Sequence, residues 1–464
     1  MPARHRSAFG ALIAVVVVAF SAFAVTAAPV GGDATADRPA ERSLEPVSPG
    51  GPTPALPRID GPTFRFDPAA WGVPANGTDA PTTTRRFQDA IDAAHDGGFG
   101  RFEVPAGTYL VGVEGNSIYT GGLELPSDFE FVLDDDAVIQ LATHDKWNAC
   151  TIAVTEQTDV VIRGGTIRGD RDTHVFTPRA GGGTAHDEGH LICIQNESER
   201  VLVDGVTLTR ATGDGILLVG QKGPGSSVKD ITIRNSEFDT NRRQGISIVG
   251  GVRVLIEDNE IHHTEGTSPQ FGVDVESLRY ESRDITIRRN HFHHNRGGDI
   301  VNTDGRNVLI EHNRFEEGDG NRNIDGPVVF WPRADQTIRH NTFHVRTGSV
   351  NGKVGIIGYS SRTIQPRSNS STVWITDNHC DGCGFYIYNT SGFRVMRNTF
   401  QNGYIAVRDV DDLLLVDNEV SYPTGCWPYR FLRVKGHAEG NTHNGEPKPL
   451  PMVWNRPWNG CWVR

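Results

Sequence analysis

The stretch DITIRNSEF at residues 230–238 returns along the chain as RVLIEDNEI at 253–261, DITIRRNHF at 284–292 and NVLIEHNRF at 307–315. Each copy alternates apolar and polar residues, then has an Asn, and then resumes with an apolar residue. The Asn recurs every 20 to 37 residues, at positions 235, 259, 290, 313, 341, 378, 398 and 418. A repeat of this length is typical of stacked units, and the alternation predicts short strands. We predict that the Asn forms the corner between two strands, because Asn tolerates the left-handed backbone that a tight corner needs.

A second set of strands lies between these copies. It reads GHLICIQN at 189–196, DGILLVGQ at 214–221, QGISIVGG at 244–251, FGVDVESL at 271–278 and GDIVNTDG at 298–305, with similar stretches to residue 409. Each coil therefore carries at least two strands, and each set is expected to stack into a parallel sheet with inward apolar ladders. Longer inserts are predicted at residues 171–188, 264–270, 344–353 and 361–372. We expect them to project from one corner and to wall the outward face of the second sheet.

The two ends of the stack have their own sequence features. TTTRRFQDAIDAAHDGG at 82–98 predicts an amphipathic helix, capped by Thr at its start and ended by a Gly pair, that covers the first coil. The Trp- and Pro-rich residues 421–464 are expected to cap the far end of one domain spanning 61–464. Residues 1–27 have the features of a secretory signal peptide, with a retained anchor as the alternative, and residues 28–60 resemble a disordered linker.

Composition narrows the function classes. A formal net charge of −12 argues against a general nucleic-acid-binding protein. An exported chain with six cysteines can form disulfides, and the irregular Cys spacing favours disulfides over a zinc site. The predicted pairs are Cys426–Cys461, Cys380–Cys383 and Cys150–Cys193. We therefore expect a secreted, extracellular monomer that binds no nucleic acid and, after signal cleavage, no membrane.

The segment before the repeats shows a family resemblance. WGVPANGTDAPTTTRRFQDAIDAAHDGGFGRFEVPAGTYLV at 71–111 resembles the first segment of the pectate-lyase-like superfamily, in which a Gly- and Asp-rich loop, a capping helix and a PAGTY strand recur. The resemblance runs through the coils to about residue 420. It implies an all-β, single-stranded right-handed parallel β-helix with an N-terminal capping helix. It also implies a polysaccharide partner, since that superfamily includes polysaccharide lyases, glycoside hydrolases, uronate epimerases and phage tailspikes.

Two member families are matched only in part. NTDG at 302–305 and RVK at 433–435 are similar to polygalacturonase motifs, but the paired Asp and Gly-His-Gly motifs expected between them are missing, and Asp325 is a poor substitute. The Tyr-Gly-Phe-Asp-Pro-His signature of alginate C5-epimerases is missing too, and the equivalent stretch reads GDGILLV at 213–219. The resemblance is therefore specific for the fold and not for one reaction.

Carboxylates mark the outward face of the second strand set. In FGVDVESL the inward residues are Val273 and Val275, so Asp274 and Glu276 face outward, about 6.5–7 Å apart along the strand. This spacing falls within the ~6.5–9.5 Å that separates the two carboxyl groups of inverting glycosidases. Asp299 is expected on the next coil, diagonal to Asp274 at roughly 8 Å. Three acids would then share one patch, where mutual repulsion raises at least one pKa unless a cation such as Ca²⁺ neutralises them.

Further candidates are expected on neighbouring coils. Arg243 leads into the outward row, and Asp214 and His190 take equivalent positions on earlier coils, so all three are candidate catalytic residues. The row at the strand entrance would contain His190, Asp214, Gln244, Phe271 and Gly298. The candidate substrate-binding residues, for sugar carboxylates or sugar rings, are Arg242, Gln244, Arg333, Tyr359 and Tyr386. Asp214 and Asp299 keep a structural interpretation, because Asp in a Gly-Asp turn commonly caps the backbone.

Two histidine doublets follow the Asn corner. They are His262-His263 and His293-His294. Metal binding is one interpretation, but repeated His at a corner is more often a stacking ladder, so we predict no metal there. Ca²⁺ at the outward acids stays an open alternative.

Two reactions fit these residues. In β-elimination, Arg243 or His190 would remove the C5 proton of a uronate, while Arg333 or acid-bound Ca²⁺ would neutralise the sugar carboxylate. In hydrolysis, the three outward acids would supply the general acid and base. The lyase is the first choice, the hydrolase the second, and a non-catalytic glycan-binding β-helix the third. The sugar, the linkage and endo or exo action stay open.

Overall fold

The chain folds into a stack of coils, and a typical coil contributes one strand to each of three parallel ladders. The computed structural model describes residues 49–117, 121–178, 186–220, 226–277, 280–316, 326–331, 336–345, 354–359, 372–421, 428–450 and 453–454. The predicted all-β stack of parallel strands is confirmed, and each coil has three strands where the sequence predicts at least two. Within the described residues, no helix is long and apolar enough to span a membrane.

The strands fall into three ladders, called sheets 1, 2 and 3, that follow one another around each coil. Sheet 1 contains Leu123–Glu124, Asn148–Thr155, Glu188–Gln195, Asp214–Val219, Gln244–Ile248, Phe271–Val275, Gly298–Asn302, Val328–Phe330, Val354–Tyr359 and the first parts of Gly384–Met396, Ile405–Val416 and Tyr429–Glu439. Sheet 2 contains Thr63–Arg65, Arg101–Val104, Phe129–Leu133, Thr158–Arg163, Glu199–Asp204, Val228–Arg234, Gly251–Glu257, Arg283–Arg288, Arg306–Glu311, Gln336–Arg339, Val373–Thr376 and the second parts of the same three long strands. Sheet 3 contains Gly107–Val111, Ala137–Leu141, Thr166–Arg168, Thr207–Thr209, Glu237–Asp239, Glu260–His262, His291–His293, Arg314–Glu316, Thr342–His344, His379–Asp381, Thr399–Gln401, Glu419–Ser421 and Thr442–His443.

The inward side chains form apolar ladders at matched heights. In sheet 3, Phe292, Phe315 and Phe343 are partners on successive coils, and their rings stack at centroid distances of 5.2 and 4.6 Å. In sheet 1, Ile246 and Val273 are partners and are fully buried. Burying one such side chain contributes about 1.5–3 kcal/mol. The ladders also fix the register, because a slip by one residue would turn each of these side chains outward.

A short helix, Pro68–Trp71, and a long helix, Ala80–Asp96, cover the first coil. Phe87 of the long helix is fully buried and stacks on Phe66 at 4.8 Å, which seals the open end of the core. The predicted capping helix is therefore present. Its N-cap is Asp79 and not a Thr, because the Asp79 side chain accepts the backbone N–H of Thr82.

The repeated Asn forms a buried hydrogen-bonded ladder and not the left-handed corner itself. The left-handed residue is the one before each Asn, as with Asp258 (φ 56°) before Asn259. Each ladder Asn donates its side-chain amide to the side-chain oxygen of the next, along Asn259, Asn290, Asn313, Asn341, Asn378, Asn398, Asn418 and Asn441. Asn235 lies outside this ladder: it is the exposed left-handed residue (φ 51°) of its coil, and Ser236 takes the ladder position.

Residues 49–60 run along the corner between sheets 1 and 2, against the direction in which the coils advance. The backbone N–H groups of Gly50, Ala55 and Arg58 donate to the side chains of Asn307, Asp230 and Asp159, at 3.0–3.1 Å. We call this segment the strap. The composition of residues 28–60 predicts a disordered linker, whereas the backbone of the strap is bonded to side chains on three coils.

Two of the predicted disulfides lie within the described residues. Cys150–Cys193 joins neighbouring strands of sheet 1, with the two Cα atoms 6.1 Å apart, and Cys380–Cys383 closes a short turn. The pair Cys426–Cys461 lies outside the described residues. The coils continue past residue 420, since Tyr429–Glu439 and Thr442–His443 add strands to all three sheets. The antiparallel strands Glu446–Pro447 and Val453–Trp454 follow them.

Candidate active site

Polar side chains cluster on the outward side of sheet 1 over four successive coils. The register pairs Asp214 with Gln244 and Phe271 with Gly298. His190 lies two residues before Ile192, which pairs with Ile216, so it is level with Asp214. The predicted row at the strand entrance is therefore confirmed by the register. Apolar groups flank the cluster: Leu217 packs with the Cys150–Cys193 disulfide on one side, and Val301 packs with Phe271 on the other.

Asp214 and Arg243 form the buried centre of the cluster. Nη1 of Arg243 donates to Oδ2 of Asp214 at 2.8 Å, and the Asp214 side chain is fully buried. Burial alone would raise the pKa of Asp214, but Arg243 and His190 outweigh burial and lower it. Burial would lower the pKa of Arg243, but Asp214 and then Asp274 raise it. Both groups are therefore held in their charged forms.

His190 lies behind Asp214. Its Nδ1 is 3.3 Å from Oδ2 of Asp214 and accepts the backbone N–H of Asp214 at 3.2 Å. Nε2 is buried and has no hydrogen-bond partner among the described residues. The side chain is only 1% exposed, so His190 supports Asp214 and has little access to a substrate.

Asp274 and Glu276 form the outer part of the cluster. Oδ2 of Asp274 accepts a hydrogen bond from Nε2 of Gln244 at 2.7 Å, and Asp274 is 5% exposed. Burial, reinforced by the negative charge of Glu276, raises the pKa of Asp274 to about 8 although Arg243 acts in the opposite direction. Burial also raises the pKa of Glu276, which is partly exposed. The predicted acid pair is therefore present, with Asp274 in the strand Phe271–Val275 and Glu276 one residue beyond its end, and Asp274 is protonated at neutral pH.

Asp299 does not join this acid pair. The partner of Asp274 on the next coil is Val301, and Asp299 lies opposite Gly272. A side chain at Gly272 would point at Phe292 and Ile261, so this position faces the core. Oδ1 of Asp299 accepts from Nδ2 of Asn295 at 2.9 Å, and burial raises the pKa of Asp299 to about 7. The predicted patch of three acids is therefore reduced to two.

The acids that remain do not fit Ca²⁺. This ion takes six to eight oxygen ligands. Without Asp299, only the carboxyl groups of Asp274 and Glu276 are left of the predicted set, and the Arg243 guanidinium already acts on both. We therefore assign no calcium site here.

Two of the five candidate substrate-binding residues have structural contacts instead. Nη1 of Arg242 donates to the carbonyl oxygens of His186 and Thr212, and its guanidinium lies 4.7 Å from the Phe176 ring, so it anchors the 171–188 insert. Gln244 is fully buried, and it uses both ends of its amide to hold Asp274 and the N–H of Phe271.

The aromatic candidates lie on later coils. Tyr386 follows Asp274 in the outward row four coils later, about 19 Å away by strand spacing. It is partly exposed and lies against Tyr388 at 4.9 Å, as a sugar-stacking platform would. Arg333 and the side chain of Tyr359 lie outside the described residues.

A histidine network beside the site was missed from the sequence. Oδ2 of Asp170 is 2.7 Å from Nδ1 of His174, whose Nε2 is 2.8 Å from Nδ1 of His186. Oδ1 of Asp170 accepts from Thr212, two residues before Asp214. The network ties the 171–188 insert to the coil below the site. The Asp-x₃-His spacing was visible in the sequence, but the contact across the insert was not.

Comparisons with known proteins agree on the architecture. A family model described as "Right handed beta helix region" matches residues 222–427. The A-module of a mannuronan C-5 epimerase from Azotobacter vinelandii superposes with a TM-score of 0.57 at 16% identity, over 82% of this chain and 99% of that one. The surface adhesin PfbA of Streptococcus pneumoniae gives 0.54 at 17% identity, over 83% and 91%. The chain is thus a right-handed parallel β-helix protein, as the sequence resemblance implied.

One curated relative is similar over most of the chain. The uncharacterized protein YclG of Bacillus subtilis is 29% identical over 399 residues, which are 78% of this chain and 67% of YclG. The chain thus spans about two thirds of the length of that relative.

Proposed function

We propose that the protein is an exported glycan-degrading enzyme that hydrolyses a glycosidic bond, with Asp274 as the general acid and Glu276 as the general base. The glycan would lie across the coils on the outward side of sheet 1. One observation carries the proposal: a protonated, oriented carboxyl group in a strand and a more exposed carboxyl group just beyond the end of that strand lie two residues apart.

The spacing of the pair supports inversion. Two residues on the same side of a strand are about 6.5–7 Å apart, which leaves room for a water molecule beside the sugar. Asp274 would give its proton to the departing glycosidic oxygen. Glu276 would take a proton from the water that attacks the anomeric carbon from the opposite side. The bond to the departing oxygen breaks as the bond to water forms. The anomeric carbon gains the hydroxyl group and the departing oxygen gains a proton, which together make up one water molecule.

Burial separates the roles of the two carboxyl groups, whereas Arg243 acts on both alike. Its charge favours the ionised form of both, and Glu276 is less buried than Asp274, so Glu276 is the better candidate for the ionised base. Asp214 balances the charge of Arg243 from behind. Pairs of acids whose environments separate their pKa values are typical of acid–base catalysis.

β-Elimination is supported less well, so the order of the first two hypotheses is reversed. The base in that reaction would be Arg243 or His190. Arg243 is paired with a buried carboxylate that raises its pKa, and His190 is 1% exposed. Neither is placed to take a proton from a sugar. A glycan substrate agrees with the fold shared with an epimerase that is named for mannuronan.

A screen of neutral and acidic polysaccharides tests the proposal. Hydrolysis gives new reducing ends without ultraviolet absorbance, whereas a lyase gives the absorbance of an unsaturated uronate. We expect new reducing ends, and in Asp274→Asn the rate at which they form should fall by about 10²–10⁴-fold. Asp299→Asn is the matched control, because it removes an equally buried acid that faces the core. If neither product forms on any substrate, the non-catalytic glycan-binding hypothesis is favoured over both enzymes.

A further inference from the structure

The two histidine doublets form a stacked array at the end of sheet 3. His262 is the strand partner of His293, and their rings stack at 4.6 Å with an interplanar angle of 9°. His263 and His294 stack in the same way at 4.8 Å and 11°. The predicted stacking ladder is therefore present. The contacts within each doublet, however, go beyond stacking.

A left-handed residue brings the two rings of each doublet together. His263 has φ 53° and His294 has φ 57°, whereas consecutive residues of a regular strand would point to opposite sides. The turn places Nδ1 of His263 2.7 Å from Nδ1 of His262. The same atoms of His293 and His294 are 2.8 Å apart.

Carboxylates on the previous coil face the outer ring nitrogen of the strand histidines. Nε2 of His262 lies 3.3 Å from Oε1 of Glu237, and Nε2 of His293 lies 3.0 Å from Oε1 of Glu260. When Nδ1 of such a histidine binds a metal ion, its Nε2 carries the proton and donates a hydrogen bond to this carboxylate. Metal-bound histidines are oriented in this way, with the second ring nitrogen donating to a carboxylate.

Asp239 completes a group of three ligand atoms. Its Oδ1 is 3.3 Å from Nδ1 of His262 and 3.8 Å from Nδ1 of His263. With the 2.7 Å between the two nitrogens, the three edges lie on both sides of the ~3.3 Å expected between ligands of a tetrahedral zinc ion with bonds of ~2.0–2.1 Å, so small ring rotations would bring all three atoms to one ion. We propose that Asp239, His262 and His263 form a Zn²⁺ site with Glu237 as the orienting carboxylate.

The second doublet offers a poorer site. The strand partner of His262 on the previous coil is Asp239, whereas the strand partner of His293 on the previous coil is His262. His293 and His294 thus have a histidine, already used as a ligand, where the first doublet has a carboxylate. We expect one tight Zn²⁺ site per chain. Imidazole nitrogen favours Zn²⁺ over Ca²⁺ or Mg²⁺, so neither of these should compete.

Calorimetric titration of tag-free, chelator-treated protein with ZnCl₂ tests the site. We expect one tight Zn²⁺ per chain, with affinity lowered at least 10-fold in His263→Gln and in Asp239→Asn. Glu237→Gln should weaken binding by about 10–100-fold through its hold on His262. The control is His312→Gln with His340→Gln, which removes another stacked pair, at 5.0 Å and 13°, and should leave the affinity unchanged.

Thermal unfolding and circular dichroism confirm that each variant folds before its affinity is compared. X-ray absorption at the zinc edge should show two nitrogen ligands and one protein oxygen ligand near 2.0–2.2 Å. The proposal is overturned if the parent protein takes up no Zn²⁺ at about 100 μM, if His263→Gln binds as tightly as the parent, or if the control variant loses the ion equally. None of these outcomes depends on activity towards a glycan.

Discussion

Gln244 fixes Asp274 from the neighbouring coil. Its Nε2 donates to Oδ2 of Asp274 at 2.7 Å, while its Oε1 accepts the backbone N–H of Phe271 at 2.8 Å. Both contacts are buried, and they link the proposed acid to the backbone three residues before it. This makes Gln244 a positioning residue with no need to contact the sugar.

Gln244→Leu should lower kcat by about 10–100-fold with little change in KM, because the acid loses its orientation. Gln244→Glu offers a sharper readout. The added charge beside Asp274 would raise the pKa of that acid further, so the alkaline limb of the pH–rate profile should move to higher pH. A limb that stays in place in Gln244→Glu would show that residue 244 does not contact the catalytic acid.

The rate should fall as pH rises through about 8, because Asp274 must hold a proton to act as the acid. Arg243 opposes the raised pKa of Asp274, so Arg243→Gln should move the limb upward. Arg85→Gln makes the same charge change on the exposed face of the capping helix and should not move it. A limb that stays in place in Arg243→Gln would contradict the assignment of Asp274.

Breaking the Arg243–Asp214 pair should destabilise the fold. Arg243→Met leaves a fully buried carboxylate without its ion-pair partner, and we expect a loss of about 3–5 kcal/mol in the free energy of unfolding. The double variant with Asp214→Leu removes both charges and should lose less. Denaturant unfolding measures both, and a double variant that is less stable than Arg243→Met would argue against the pair.

Asp299 should make the protein less stable as pH rises. Its pKa is about 7 in the folded state and about 3.9 when unfolded, so the folded state binds more protons between these values. The stability that this proton provides is lost as pH rises from about 4 through about 7. Melting temperatures at pH 5, 6, 7 and 8 should fall less steeply in Asp299→Asn, and equal slopes would refute the raised pKa.

The loss of one side chain from the Asn ladder should lower the stability of the fold. Asn341 is 1% exposed, accepts two hydrogen bonds from Asn313 and donates to Asn378. Asn341→Ala leaves at least two buried polar groups unpaired, which costs about 2–6 kcal/mol in the free energy of unfolding. Asn148→Ala, at a partly exposed strand position outside the ladder, should cost no more than about 1.5 kcal/mol. Similar losses in both variants would show that the ladder is not the cause.

The alternation of the strands allowed much of the site to be predicted. Counting by twos from Val273 placed Asp274 and Glu276 outward, and equivalent positions aligned Asp214 with Gln244. The alternation fails at Asp299, where the backbone N–H groups of Asp299 and Ile300 both donate to the carbonyl of Pro327 and two consecutive side chains face inward. The repeated Asn was predicted at the left-handed position, which the residue before it takes. Contacts between an insert and a coil, such as Asp170 with His174 and His186, depend on the path of the insert. They follow no sequence repeat, so they could not be predicted.

The strap has a consequence for the order in which the chain reaches its final form. Gly50 leaves the ribosome early, yet its hydrogen-bond partner Asn307 is synthesised 257 residues later. The first coils can stack as they emerge, because each needs only its neighbour. The strap has to wait for the coil of Asn307 before its last contact can form. The earliest described residues of the chain are therefore among the last to form their native contacts. The strap can dock fully only after the coil that contains Asn307 has folded.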